Sequence, residues 1–242
     1  MKITSLNAKL KLFNVGSNAK TKKGDDEDNL TAIMYLASSD ISGYEVCEYA
    51  SPQCRSMCLY TAGRGTFTTV QQARINRTKL FFESNKEFLE LLYKEISLFN
   101  VYCIKNEFQP NVRLNGTSDL DFINLKIKDN KDIFELFPDI NFYDYTKDFN
   151  RISPYTNYYL LYSRTEETTL DEIKDLISQD KNVAVVFDDV PEEWNSIKVI
   201  NGDLSDLRTN DEPGVILGLK AKGLAKKNKR KEDGFVIKTI NI

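Results

Sequence analysis

Three of the four cysteines lie within twelve residues, at Cys47, Cys54 and Cys58, in a C-x6-C-x3-C arrangement. Thiolates at this spacing converge on one metal centre if the chain between them turns, and the Ser51-Pro52 pair favours a turn. A closed zinc site normally has four ligands, whereas three cysteines and an open fourth position are typical of a cubane iron–sulfur cluster that binds a small molecule. We therefore expect these cysteines to be metal ligands, and a 4Fe–4S cluster ahead of zinc.

Two other interpretations of the cysteine segment stay open, namely structural zinc and three reduced, buried thiols without metal. Cys103 is a further candidate ligand, although its amphipathic helical surroundings favour a lone buried thiol. The spacing differs from the C-x3-C-x2-C of radical enzymes that use S-adenosylmethionine. That molecule is therefore kept only as a candidate ligand of the cluster.

The chain has no histidine, and its formal net charge is −3. The lack of histidine excludes Ser-His and Cys-His nucleophiles, His-ligated metals and the usual proton shuttle near neutral pH. Catalysis would have to use carboxylates, Lys, Tyr, Cys or a cofactor. The negative charge excludes a generally basic nucleic-acid coat but leaves local basic patches open.

Short apolar runs that alternate with helical patterns predict a parallel α/β sheet. We expect a complete or partial (β/α) barrel-like sheet, with an N-terminal extension that carries the cysteine loop. A long helix is predicted from residue 70 to about 108, and Thr169 with Glu172 forms a capping box for a later helix. The predicted strands are residues 31–37, 111–115, 140–145, 158–163, 183–188, 198–200, 215–219 and 235–238.

Polar residues follow several of these strands, and the carboxyl ends of parallel strands gather functional groups. We take Lys147 and Asp119 as catalytic candidates, because a desolvated lysine can form a Schiff base or bind a carboxylate. A structural ion pair of Lys147, or a helix cap at 118–119, is the alternative. The ligand-binding candidates at the same edge are Arg113, Asn115, Thr117, Ser118 and Tyr145.

Two arginines near the predicted long helix suggest an anion site. Arg64 stands between two glycines just before the helix, and Arg74 lies on it. Free backbone N–H groups at a helix start, together with arginines, can bind phosphate. A surface turn followed by a solvated helix face is the equal alternative.

Several stretches of this sequence resemble an uncharacterised family of phages and mobile elements that is labelled after a phage gene 88 product. The resemblance runs from about residue 18 to 235, and it implies that the cysteine, TAGRG, LNGTSD and YTK motifs form one composite site. Members often have Cys-Pro at the first cysteine, whereas Glu48 follows Cys47 here. The stretches are LTAIMYLASSDISGYEVC, SPQCRSMCLYTAGRG, VQQARINRTKLFF, VRLNGTSDLDF, FYDYTKDFNR, NVAVVF and GVILGLKAKG.

The resulting hypothesis is a phage-type iron–sulfur or other metal protein, with a radical-type enzyme on a small molecule or nucleotide as its concrete form. The alternative is a non-catalytic, zinc-stabilised nucleic-acid-associated or host-interaction protein, which would use the seven basic residues among positions 220–231. We expect one domain over 1–242, with a polar extension at 1–30 and a basic loop or tail at 220–233. No apolar run predicts a membrane span or signal peptide, so a cytoplasmic location is expected, in the host cell if the protein is phage-encoded.

Overall fold

The computed structural model describes residues 3–16, 28–227 and 234–239. The strands are β1 (Phe13–Val15), β2 (Asn29–Met34), β3 (Gln109–Arg113), β4 (Asn141–Thr146), β5 (Tyr158–Ser163), β6 (Val183–Phe187), β7 (Glu193–Trp194), β8 (Ile197–Asn201) and β9 (Ile216–Lys220). The α-helices are α1 (Ile3–Asn7), α2 (Pro52–Ser56), α3 (Thr68–Glu83), α4 (Asn85–Lys105), α5 (Ile133–Leu136), α6 (Leu170–Ser178) and α7 (Gly223–Lys227). Short 3-10 turns lie at Leu59–Thr61 and Gly63–Thr66.

All nine strands form one sheet in the order β1-β2-β3-β4-β5-β6-β9-β8-β7. The pairs between β2 and β8 in this order are parallel, whereas β1 and β7 pair antiparallel at the two edges. The predicted α/β class with a mostly parallel sheet is therefore confirmed. Within the described residues the sheet is open, so the predicted barrel is not confirmed.

Strands β2 to β6 lie side by side in the sheet in the order in which they occur in the chain. Each connection between them therefore leads to the next strand on the same side. Right-handed crossovers of this kind place their connections on one face of the sheet. Val112 and Phe142 point to that face and join the main core beneath α4. Because side chains alternate along a strand, Arg113, Tyr143 and Tyr145 point to the other face. Two of these side chains on the second face, Arg113 and Tyr145, line a cavity.

Two apolar clusters fasten the helices to the sheet. The larger is built on α4, where Phe88, Leu92 and Ile96 are fully enclosed against β2, β3 and β4. The smaller packs α6 against β6 and β9. The predicted capping box begins α6 as expected. The Thr169 side chain accepts a hydrogen bond from the Glu172 backbone N–H, and the Glu172 carboxylate accepts one from the Thr169 backbone N–H.

Three features differ from the sequence-based predictions. The cysteine segment follows β2, an interior strand, so it belongs to the β2–α3 connection and not to an N-terminal extension. The long helix is two helices, because Ser84 leaves helical geometry with φ −140° and ψ 55°. Part of the predicted extension also belongs to the fold, because β1 pairs with β2. The Glu95 carboxylate accepts hydrogen bonds from the backbone N–H groups of residues 11–13, at the start of β1.

The rest of the predicted extension and the centre of the basic segment lie outside the described residues. The described part of the basic segment comprises the end of β9 and α7. None of the described helices combines the length and apolarity needed to cross a membrane.

Candidate functional site

A cavity of about 230 Å³ lies at the carboxyl edge of the parallel strands. The ends of β3, β4, β5 and β9 contribute to its wall, and the cysteine loop lies across from them. Ten of the predicted site residues line it, namely Cys47, Cys54, Cys58, Arg113, Asn115, Thr117, Ser118, Asp119, Tyr145 and Lys147. The structure therefore brings the cysteine motif and the strand-end motifs together.

The cysteine loop is folded so that its three thiols face this cavity. Ser51 begins α2 and accepts a hydrogen bond from the Cys54 backbone N–H at 3.3 Å, as an N-cap residue does. The Cys47 Sγ accepts a hydrogen bond from the Ser39 N–H at 3.5 Å, and the Cys58 Sγ accepts one from the Tyr60 N–H at 3.4 Å. Two of the three sulfur atoms thus have backbone donors directed at them.

The thiols are partly enclosed and do not meet at one point. Burial raises the pKa of Cys47 to about 12, and it also raises that of Cys54, although the nearby Lys147 charge acts in the opposite direction. Among the described residues, no three Cys, Asp or Glu side chains are close enough together to hold a single metal ion. All three cysteines nevertheless line the same cavity. Cys103 lies apart from them, fully enclosed in the core under α4.

Asn115 organises the turn that follows β3. Its side chain accepts hydrogen bonds from the Ser118 hydroxyl at 2.8 Å and the Leu120 N–H at 3.0 Å. Thr117 donates to the Leu36 carbonyl at 2.6 Å, which fixes the same turn to the end of β2. These polar groups shape the rim through contacts with one another. The alternative of a helix cap at 118–119 is not what the structure shows, since the next helix begins at residue 133 and is capped by Asp132.

Gly116 is required by the backbone of β2. A Cβ atom added there would lie 2.5 Å from the Met34 carbonyl oxygen and 2.7 Å from the Tyr35 ring. The Gly116 N–H also donates to that same carbonyl at 2.9 Å. The group that approaches Gly116 closely is therefore a neighbouring strand.

Asp119 is buried and fully engaged. Its Oδ1 lies 2.7 Å from Arg151 Nη1, and its Oδ2 accepts a hydrogen bond from the Lys147 backbone N–H at 2.7 Å. Burial raises the pKa of Asp119, and the Arg151 guanidinium partly counteracts this. Asp119 therefore joins the turn after β3 to the end of β4.

The Lys147 ammonium is likewise engaged. Its Nζ donates to the Ser163 carbonyl and hydroxyl, both at 2.8 Å, and to the Arg164 carbonyl at 2.9 Å. Burial lowers the pKa of Lys147, while the neighbouring Cys54 and Asp119 act in the opposite direction. An ammonium has three donors, so this one is saturated by the end of β5.

Arg113 projects from β3 onto the cavity face of the sheet. Its guanidinium carbon lies 4.5 Å above the centre of the Tyr145 ring, a cation–π arrangement. Only 7% of the arginine is exposed, and its Nε has no hydrogen-bond partner. Among the predicted residues that line the cavity, Arg113 is the one with a buried side-chain nitrogen that has no hydrogen-bond partner.

Arg64 and Arg74 do not line the cavity. Arg64 is exposed on a 3-10 turn, whereas Arg74 is buried between the Tyr35 and Tyr60 rings and donates to the Tyr60 carbonyl at 2.9 Å. A Cβ at Gly65 would lie 2.1 Å from that carbonyl oxygen, so the glycine permits close packing. Arg74 is thus held by the protein away from the cavity, and the anion site at these two arginines stays a prediction.

The predicted site residues do not include two residues that line the cavity, Ser163 and Asp206, nor Arg151, which holds the cavity residue Asp119. Ser163, which binds Lys147, stands at the end of β5, and Asp206 lies in the connection after β8. Arg151, the partner of Asp119, lies in the loop after β4. The strand-end rule could have found Ser163. Arg151 carries no such signal, because its role depends on how a loop folds back.

The described residues thus form an open, mostly parallel α/β sheet whose carboxyl edge carries a cavity lined by thiols, an arginine and a lysine. The chain belongs to the family described as Gene product 88, whose model matches residues 7–239. That match includes every residue placed around the cavity and confirms the predicted resemblance to a phage gene-product family. No curated protein and no solved structure matches the chain.

Proposed function

We propose that this chain is an iron–sulfur protein whose cluster is held by Cys47, Cys54 and Cys58, and that it acts as an enzyme on a small molecule or nucleotide in the adjoining cavity. One observation carries the proposal: the three thiols line the same cavity as the strand-end residues. The contact is direct at one point, because the Cys47 Sγ lies 3.9 Å from the Thr117 carbonyl oxygen.

The arrangement of the thiols favours a cluster over a single ion. Zinc–sulfur bonds of about 2.3 Å would bring ligand sulfurs to within roughly 4 Å of one another, and no such group is found among the described residues. In a cubane cluster each cysteine binds a different iron, so the ligand sulfurs need not lie that close to one another. Backbone N–H donors to Cys47 and Cys58 would stabilise the thiolate forms in either case.

When bound, such a cluster supplies electron transfer and an open iron position for a ligand. The chain's own residues would do the rest. The Lys147 charge favours the thiolate form of Cys54, and the Arg113 guanidinium on Tyr145 would hold a ligand. Because their polar atoms are already engaged, we assign Lys147 and Asp119 to positioning the strand ends.

The barrel-like interpretation of the fold belongs to the same proposal. Five consecutive strands wound in one direction, with the main helical cores on one face and the cavity on the other, support a partial-barrel relationship. In such folds the active site lies at the carboxyl ends of the strands.

The test is metal and acid-labile sulfide analysis with an absorption spectrum, on protein purified without oxygen. We expect a brown protein that contains iron and sulfide. Cys54→Ala should lose both, whereas the matched control Cys103→Ala should keep them, because Cys103 lies in the helical core. Dithionite-dependent formation of 5′-deoxyadenosine and methionine from S-adenosylmethionine would then identify the radical form.

A colourless protein with stoichiometric zinc would contradict the iron–sulfur proposal. It would favour the zinc-stabilised, nucleic-acid-associated alternative, whose signature is a salt-dependent affinity for DNA or RNA. Absence of any metal after anaerobic reconstitution would leave the cysteines as structural thiols and would also contradict the proposal.

A further inference from the structure

Arg113 is a buried cation without a protein acceptor at its Nε. It is 7% exposed and lines the cavity. A guanidinium has five N–H donors in a rigid fork, and leaving buried donors unpaired is costly. Its contact with the protein is the face of the Tyr145 ring at 4.5 Å, which leaves the edge of the fork available to a ligand.

Asp144, on the neighbouring strand β4, does not accept a hydrogen bond from the unpaired Arg113 Nε. Asp144 directs Oδ1 to the Asn115 N–H at 2.7 Å, and its Oδ2 accepts hydrogen bonds from the Asn115 amide at 3.3 Å and the Tyr158 hydroxyl at 3.2 Å. Burial also raises the pKa of Asp144 to about 7, so near neutral pH it is only partly ionised. The Arg113 charge is therefore incompletely neutralised.

The same cavity contains an unused acceptor of opposite charge. The Oδ2 atom of Asp206 is enclosed and has no hydrogen-bond partner, and Asp206 lines the cavity. The charges of Arg113 and Asp206 both act on the Tyr143 and Tyr145 hydroxyls, which places the two charged groups around one pair of rings. An unpaired cation and an unpaired anionic oxygen thus face one space.

We propose that this cavity binds a small zwitterionic acid, whose carboxylate pairs with the Arg113 fork and whose ammonium group pairs with Asp206. A carboxylate matches the fork in a bidentate manner, and such charge-assisted pairs are among the strongest hydrogen bonds. A phosphate dianion fits less well, because the Asp206 charge would repel it. Apolar wall residues leave room for the remainder of the ligand, namely Val186, Leu219, Ala225 and Phe235.

The inference deepens the proposed function, since it names the ligand class of the same cavity, but it does not depend on the metal. Ligand titration on metal-free protein and metal analysis can fail independently. A protein that contains iron but whose unfolding midpoint does not respond to the ligand would reject this inference alone. Ligand response without any metal would reject the iron–sulfur proposal alone.

The experiment uses four simple probes at matched ionic strength, with sodium chloride as the reference: glycine, acetate, methylamine and inorganic phosphate. We expect glycine to raise the thermal unfolding midpoint most, acetate less, and methylamine and phosphate no more than the chloride reference. Arg113→Gln should weaken glycine binding by about tenfold or more. Asp206→Asn should remove the advantage of glycine over acetate.

Lys79→Gln is the control, because it removes an exposed cation of α3 that lies outside the cavity. It should leave every probe response unchanged. If Arg113→Gln does not fold, Arg113→Lys keeps the charge and loses the fork, and it should lose most of the glycine response. A larger response to phosphate than to glycine, or a full glycine response in the Arg113 variants, would overturn the inference.

Discussion

Asp119 accepts a 2.7 Å hydrogen bond from the backbone N–H of Lys147, and this contact fastens the turn after β3 to the end of β4. The other carboxylate oxygen lies 2.7 Å from Arg151, and both side chains of this ion pair are less than a tenth exposed. A carboxylate buried in this way is costly unless a cation compensates it. Arg151 is therefore part of the scaffold that holds the cavity rim.

Replacing Arg151 by Gln should lower the free energy of unfolding by about 3–5 kcal/mol, because it leaves Asp119 buried without its counter-charge. The pKa of Asp119, already raised by burial, should rise further. The deficit relative to the unsubstituted protein should therefore grow once pH rises above the folded-state pKa of Asp119 in that protein, and it should level off above the higher pKa of the variant. Urea unfolding over a pH series measures this.

The control for this ion pair is Lys79→Gln, which removes an exposed cation on α3. Its unfolding free energy should stay within about 0.5 kcal/mol of the unsubstituted protein. A deficit of the Arg151 variant that is the same at acidic and neutral pH would show that the ion pair is not what compensates Asp119.

Lys147→Met should also destabilise the protein, by about 2–4 kcal/mol, since the Ser163 and Arg164 carbonyls lose a buried donor. Ser163→Ala removes only a hydroxyl acceptor and leaves both carbonyl contacts in place. It should cost about 1 kcal/mol or less. Denaturant unfolding of the two variants compares them directly, and equal losses would argue against the lysine as the tie between β4 and β5.

Much of this arrangement could be predicted from local sequence. The apolar runs located seven of the nine described strands to within a few residues, and β5 was predicted with its observed bounds. The predicted strand at 235–238 was wrong, since Ile237 forms only an isolated bridge with Phe187. The rule that carboxyl ends of parallel strands share an edge brought Asn115, Asp119 and Lys147 together, as the cavity shows. The position of the cysteine loop opposite that edge follows from its place after the interior strand β2.

The remaining features depend on contacts between distant parts of the chain. Helix-forming residues stand on both sides of Ser84, so the break there is visible only in the backbone angles. The burial of Arg74 between two tyrosines likewise depends on how residues 59–66 fold back over α3. Sequence spacing alone treated that arginine as an anion ligand. Which donors are already used is thus a property of the packed structure.

Gly116→Ala should destabilise the protein by about 1–3 kcal/mol through overpacking. The added Cβ would lie 2.5 Å from the Met34 carbonyl oxygen, and the hydrogen bond between that carbonyl and the Gly116 N–H prevents the two strands from moving apart freely. Thr117→Ala is the neighbouring control, because it removes one hydroxyl contact to Leu36 without adding an atom. In thermal or urea unfolding, Gly116→Ala should lower the free energy of unfolding more than Thr117→Ala does. The reverse order would contradict the close approach of Gly116 to β2.

Asp144 should make the stability of the folded protein depend on pH. It is 1% exposed, and burial raises its pKa to about 7 despite the opposing Arg113 charge and its hydrogen bonds. The unfolded value is about 3.9, so between these values the folded protein holds a proton that the unfolded chain has released. The contribution of Asp144 to the free energy of unfolding should therefore fall as pH rises from about 4 to about 7, and it should level off above that range.

Asp144→Asn removes this titration and should flatten the stability profile between those pH values, at the cost of a donor facing the Asn115 amide and the Tyr158 hydroxyl. Tyr158→Phe removes one hydrogen bond to the carboxylate but keeps the ionisable group, so it should keep the slope of the stability profile and raise the pKa of Asp144 further.

The direct measurement is the carbon-13 chemical shift of the Asp144 carboxyl group across the pH series. A shift that titrates near pH 4, together with equal slopes in both variants, would mean that Asp144 is charged throughout. The Arg113 charge beside the cavity would then be compensated by the protein itself, which removes one of the reasons for expecting an anionic ligand there.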